Sequence, residues 1–249
     1  MTELSFNKMR IFGNDFSVNR KVPFKQMGTF KLSTTTSVIQ FAYDMTFGAK
    51  GEHRHTRSGG SVYRNNFEIF ANTFQGKLSE FAVANLFFKH KDFKAPDLTT
   101  HSRGIWEDVD FLIGEYAIAV KSTKHYGNLL LLEKQDWNSQ GHYLTASGSP
   151  RIYTHIMLVR IKPDIEEIIR SLNPNSLNQE LFNPLKSKIL EIEWSYDIPG
   201  FIESKDLYQV INANNIITKG ARLNLAVTID ADNYYVQAGD LRKIATLKI

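Results

Sequence analysis

The chain has 249 residues, 42% of them hydrophobic and 12% aromatic, with a net charge of +4; it is long enough to bury a sizeable core and far less basic than a histone-like polyanion binder. It contains no cysteine, which excludes disulfides and thiolate metal sites and leaves carboxylate, imidazole and carbonyl groups, the donors that suit hard ions such as magnesium. No run of about 18 apolar residues is present and the N-terminal MTELSFNKMR lacks the apolar segment of a signal peptide, so a soluble, cytoplasmic protein without a membrane partner is expected.

Along residues 1–50, "TFKLSTTTSVIQFAYDMTF" alternates β-branched and aromatic residues and predicts a strand or two. Residues 48–66, rich in glycine, polar residues and arginine, read as an exposed loop. Phe74, Leu78, Phe81, Ala82, Asn85 and Leu86 recur at helical spacing and predict a helix over at least 76–90. Two β-rich runs follow, Val109 to Ile113 and Tyr116 to Lys121, joined by Gly114-Glu115 as a two-residue hairpin turn.

"NLLLLEKQDW" suits helix or strand, and 151–162 reads as a buried strand. "PDIEEIIRSL", opening with Pro163, and "NPLKSKILEIEW" look helical, as does "SKDLYQVINANN" with Ser204 as its N-cap. "GARLNLAVTI" and "NYYVQAGDL" close the chain with β-like runs. Interleaved helices and strands without repeats predict a single α/β domain over 1–249 with a mixed sheet, a core at about 67–162 and an embellished C-terminal third from 163 to 249.

A two-residue turn folds the second strand of the hairpin back beside the first, so Asp110 falls close to Ala119 and Lys121. Alternation sends the side chains of 119 and 121 to one face and that of Val120 to the other. A carboxylate and a lysine converging at one sheet edge suit phosphodiester hydrolysis: the acid can hold magnesium against the scissile phosphate while the amine orients or helps deprotonate the attacking water. The bland alternative is a surface ion pair across a hairpin, worth under about 1 kcal/mol.

The arrangement resembles the PD-(D/E)XK nuclease superfamily, in which an aspartate opens a β-hairpin whose second strand carries acid, any residue, lysine. Here the matching residues are Asp110 and then Ala119-Val120-Lys121, with Glu80 in "GKLSEFAVANLF" resembling the helix glutamate of many members. "GIWEDVDFLIGEYAIA" and "AVKSTKHYGNLLLLE" look most like type II restriction endonucleases, and the likeness covers about 76–137. It implies a restriction-endonuclease-like mixed β-sheet flanked by helices. It also implies magnesium held by Asp110, residue 119 and the Val120 carbonyl, water positioned by Lys121, and Glu80 supporting the metal or its waters.

The departure is Ala119, which stands where the pattern has the second metal-binding acid. Replacement of an acid by alanine in this chain is preferred over natural loss because Asp110, Lys121 and Glu80 are all in place. Asp108 is a further acid on the face of Asp110, Asp97 in the literal Pro96-Asp97 is a decoy, and Glu115 sits at the wrong end of the hairpin.

The resemblance implies a restriction-modification endonuclease acting on double-stranded DNA at a short specific site, most simply as a two-fold homodimer, with cutting impaired by Ala119. A non-catalytic DNA-binding protein on a decayed nuclease fold and a structure-specific repair or recombination nuclease are the competing expectations. Arg54, Arg57 and Arg64 in the glycine-rich loop, together with Lys77, Lys124 and His125, are the candidate DNA contacts; a solvated loop is the plain alternative for the arginines. His53 and His55 lack an evident third ligand for a metal, and Trp194, Tyr196, Tyr234 and Tyr235 read as core or interface aromatics.

Overall fold

A computed structural model describes residues 4–48, 65–99, 110–145, 150–172, 180 and 182–249. In chain order these form β1 (Arg10–Phe12), β2 (Asp15–Ser17), β3 (Gly28–Thr29), α1 (Leu32–Phe47), α2 (Asn66–Phe87), β4 (Phe111–Ile113), β5 (Tyr116–Lys124) and β6 (Leu129–Glu133). Then come β7 (Tyr143–Leu144), β8 (Pro150–Arg151), β9 (His155–Lys162), α3 (Ile165–Arg170), α4 (Phe182–Leu190), β10 (Ser195–Glu203) and α5 (Ser204–Asn212). The chain closes with β11 (Ile216–Ile217), β12 (Arg222–Leu223), β13 (Val227–Thr228) and β14 (Asn233–Gln237). The α/β class with a mixed sheet expected from the sequence is the observed one.

The main sheet has the order β3-β10-β9-β5-β4, with β5 and β9 parallel and the other neighbours antiparallel. Strand β9 is buried from His155 to Ile161, as its apolar run requires when both edges are paired and both faces covered. On one face α1 and α2 supply Val38, Ile39, Phe70, Phe74 and Leu78 against Ile118, Met157, Val159 and Phe201. On the other, a sheet of order β11-β14-β6 and helix α5 bring Leu130, Leu132, Val236, Leu207 and Val210 onto Ala119, Ile156, Leu158 and Ile202. A four-stranded sheet, β1-β2-β12-β13, packs Phe16 and Leu223 beside Leu129, Leu131 and Tyr235. The C-terminal third thus supplies β10, a central strand of the main sheet.

Three expectations change. The stretch predicted as strands over "TFKLSTTTSVIQFAYDMTF" is largely helix α1, because Thr35, Val38, Ile39, Phe41 and Ala42 are buried at helical spacing. Its β-branched residues cost only tenths of a kcal/mol each in a helix, and packing on α2 outweighs that. The helix predicted from residue 76 begins ten residues earlier, where Asn65 accepts the Glu68 N–H at 3.0 Å and Glu68 accepts that of Asn65 at 3.1 Å in a capping box. Ser204 is inside α5 rather than its cap. Glu203 holds the cap position with its N–H on Asp206 Oδ2 at 2.8 Å, while the Ser204 hydroxyl donates to the Tyr153 carbonyl at 2.6 Å.

One polar pair pierces the apolar interior. Arg160 of β9 has no solvent exposure, and its Nε donates to Asp197 Oδ1 at 2.8 Å, with Nη2 on Oδ2. Nη1 donates to the Val22 carbonyl at 2.7 Å and Nη2 to that of Pro23 at 3.0 Å, while Asp197 Oδ2 also accepts the Lys25 N–H at 2.8 Å. The guanidinium therefore clamps residues 22–25 to β9 and β10. Removing one member of such a pair strands the other charge, so Asp197→Ala should cost about 3 to 5 kcal/mol, read as a fall in the urea midpoint.

Candidate functional site

The β4–β5 hairpin is present as expected. Phe111 pairs with Ile118, Leu112 with Ala117 and Ile113 with Tyr116. Gly114 takes the first turn position with φ of 58°, which glycine adopts without a side-chain penalty. Strand β5 runs on beyond the predicted end at Lys121 to Lys124, because β9 pairs with it in parallel from Ile118 to Lys124. Lys121 is consequently a mid-strand residue opposite Leu158.

Strand β4 begins at Phe111, and the N–H of Val120, just past its pairing with β5, is met by a side chain. Val120 donates its N–H to Asp110 Oδ2 at 2.6 Å. In a strand the carbonyl of a residue leaves the same edge as its N–H, so the Val120 carbonyl also faces the Asp110 side. Continuing the register by one residue puts Asp110 opposite Ala119, and Lys121 follows on the same face. Asp110 thus stands opposite position 119 at the β5 edge from which the Val120 carbonyl leaves, with Lys121 two residues further along β5.

Desolvation raises the Asp110 pKa above the ordinary carboxylate value, only partly opposed by the Val120 N–H and the charges of Lys121 and Lys77. Lys77 lies on α2, where its Nζ donates to Glu80 Oε2 at 2.7 Å, both side chains being largely buried, and sits 5.0 Å from the Phe41 ring centroid. A Gln75 to Ser122 hydrogen bond of 3.2 Å ties the same helix to β5. Glu80, expected to support a metal, is here the anchor of Lys77.

Ala119 is 3% exposed and belongs to the apolar cluster of Leu130, Leu132, Ile156 and Leu158. Next to it a cavity of about 280 Å³ is lined by Val120, Lys121, Ser122, Thr123, Leu129, Leu131 and Leu158. Among the described residues no group of three histidine, aspartate or glutamate side chains is arranged to hold a metal ion. The donors at the hairpin are one carboxylate and one carbonyl, short of the set that magnesium takes with two acids.

The remaining candidates separate. Lys124 donates to Glu166 Oε2 at 2.7 Å and pairs with Asp164 Oδ2 at 3.0 Å. Burial lowers its pKa, but the hydrogen bonds to those acids outweigh it and leave the pKa raised. Its charge is committed to α3, so a phosphate would have to displace two carboxylates. His125 stands edge-on to Phe24 and Tyr126. Burial, then the charge of Lys162, lowers its pKa against the pull of Asp164 and Glu167, which keeps the ring neutral at pH 7. Asp97 accepts the N–H and hydroxyl of Thr99 in a local turn, and Glu115 is exposed at the hairpin tip.

Arg54, Arg57, Arg64, His53, His55 and Asp108 lie outside the described residues. Trp194, Tyr196, Tyr234 and Tyr235 are buried core aromatics. Reading from sequence missed the Lys77–Glu80 pair as a unit; its i, i+3 spacing on a helix was the available signal. No protein family, no curated protein and no solved structure matches the chain, and no described helix is long and apolar enough to cross a membrane.

A carboxyl whose folded pKa is raised binds its proton more tightly in the folded state. It thus withdraws stability as pH rises from the unfolded aspartate value, near 4, up to the raised folded one. Asp110→Asn keeps an acceptor for the Val120 N–H but cannot ionise. The stability difference between this variant and the parent should therefore grow in the variant's favour across that window, measured by denaturant titrations at successive pH values.

Proposed function

We propose that the chain is a DNA-binding protein of the type II restriction-endonuclease kind, whose hydrolytic centre at Asp110, position 119 and Lys121 lacks one carboxylate. The observation that carries this reading is the hydrogen bond from the Val120 N–H to Asp110 Oδ2 beside the start of β4, which fixes a desolvated carboxylate at the β5 edge from which the Val120 carbonyl leaves. That is the chemistry phosphodiester hydrolysis needs. With an acid at 119, Asp110, that acid and the Val120 carbonyl would hold magnesium, which when bound supplies Lewis acidity to the scissile phosphate.

The residues of the chain would do the rest. Lys121 holds and orients the attacking water and offsets charge building on the phosphate oxygens. Asp110 is fixed in place by the Val120 N–H. Lys77, braced by Glu80, adds positive potential from the helix side. A homodimer would present two such centres to the two strands of a symmetric site. With Ala119 the donor set is incomplete, so the protein binds duplex and cuts it poorly.

A second reading, a non-catalytic DNA-binding protein that lost the acid naturally, is favoured by the surroundings of Ala119. The charges of Asp110, Lys121, Lys77 and Glu80 balance without it, and the methyl group packs among Leu130, Leu132, Ile156 and Leu158.

Ala119→Asp separates the two. Under the endonuclease reading the variant converts plasmid DNA into discrete fragments only with magnesium, and Lys121→Ala on that background abolishes the bands. The absence of cleavage by a folded, duplex-binding variant would leave the non-catalytic reading. The added carboxylate should also lower stability in chelator by about 1 to 3 kcal/mol, as burial of an unpaired polar group does. Magnesium should restore the melting temperature in a concentration-dependent way under the first reading alone.

A further inference from the structure

In the four-stranded sheet β1-β2-β12-β13, the central strands β2 and β12 pack Phe16 and Leu223 on the cluster next to Lys121, while the outer strands β1 and β13 are exposed throughout. Phe16 and Leu223, in register across β2 and β12, face the interior beside Leu129 and Leu131, and those two leucines also line the cavity next to Lys121. The sheet therefore stands against the edge of the candidate site. By alternation its outward face carries Arg10, Phe12, Asp15, Ser17, Arg222 and Thr228.

Two features of that face are unusual for a mere solvated surface. Phe12 is 86% exposed, although its aromatic area would ordinarily be buried. Arg222 donates from Nε to Asp15 Oδ1 at 2.6 Å and from Nη2 to Oδ2 at 2.7 Å. This fork fixes the plane of the guanidinium and leaves its Nη1 donors pointing away from the carboxylate. An arginine oriented in this way is suited to bidentate recognition of guanine edges, while an apolar ring suits the thymine methyl.

These side chains span three neighbouring strands, about 10 Å across, within the roughly 12 Å width of a major groove. Asp15 is the one carboxylate on the face and is already satisfied. Arg10 and the exposed Lys8 add positive charge beside it, complementary to phosphate.

We infer that the outward face of this sheet is a base-reading surface for double-stranded DNA, with Arg222 oriented by Asp15 as the polar reader and Phe12 as the apolar one. The inference rests on the DNA-binding reading above and adds where the specificity resides.

The test starts from a pool of duplexes with a randomised centre, selected by the parent protein at fixed salt. Affinities for the enriched duplex and for a scrambled duplex are then measured with the parent, Phe12→Ala and Arg222→Lys. Both positions are exposed, so melting temperatures should be unchanged. The expected result is a loss of about tenfold or more on the enriched duplex for each variant, with scrambled-duplex binding nearly unaffected, since Arg222→Lys keeps the charge and removes only the planar fork.

Parent-like affinity and selectivity in both variants would overturn the assignment while leaving the DNA-binding reading intact. So would a change confined to the sedimentation coefficient, which would give the face to a second copy of the chain. Failure of the parent itself to bind any duplex would sink the DNA-binding reading, and this inference with it.

Discussion

Everything in this molecule is referred to strand β9. It is hydrogen-bonded on both edges and covered on both faces, so its neighbours β5 and β10 have their registers set by a strand that has no freedom to slip. A one-residue shift would exchange its two packed faces and drive the Arg160 guanidinium away from Asp197 into the apolar layer of α1 and α2. The parallel pairing with β5 is the part that matters for the site. It carries β5 three residues past Lys121 and holds Lys121 as a rigid strand residue rather than a frayed tip.

The hairpin itself supplies a local economy of hydrogen bonds. Just before β4 begins at Phe111, the Asp110 carboxylate takes the Val120 N–H. The Val120 carbonyl leaves the same edge of β5. Charge then gathers around a desolvated acid from two directions, Lys121 along the strand and Lys77 from the helix, with Glu80 restraining the second. Position 119 sits at the centre of this balance and contributes only a methyl group.

Much of this was legible from residue order. The hairpin, the register that sets Asp110 opposite 119, a buried strand read over 151–162 and found at His155–Lys162, and the α/β class follow from periodicity and one glycine-led turn, signals that are local. What escaped was decided by distant partners. Thr34, Thr35, Thr36 and Val38 have strand-forming shapes, yet the stretch is helical because α2 offers a groove for Val38, Ile39 and Ala42. Lys124 and His125 looked available for phosphate, and only the folding of α3 against β5 reveals that Lys124 is engaged by Asp164 and Glu166. The pairing of β2 with β12 joins residues more than two hundred positions apart, a distance over which no pattern in the sequence speaks.

That long reach has a consequence for how the chain is made. Among the described residues, strand β3 pairs with β10 and β2 with β1 and β12, and residues 22–25 are clamped by an arginine whose own acid partner lies in β10. As the polypeptide leaves the ribosome, the segment that forms β1 to β3 therefore emerges with several of its final neighbours still unsynthesised. The helical pair α1 and α2 can associate early, but the sheet closes only when the last quarter of the chain arrives. The surface formed by β1, β2, β12 and β13 is thus completed late, once segments some two hundred residues apart have been brought together.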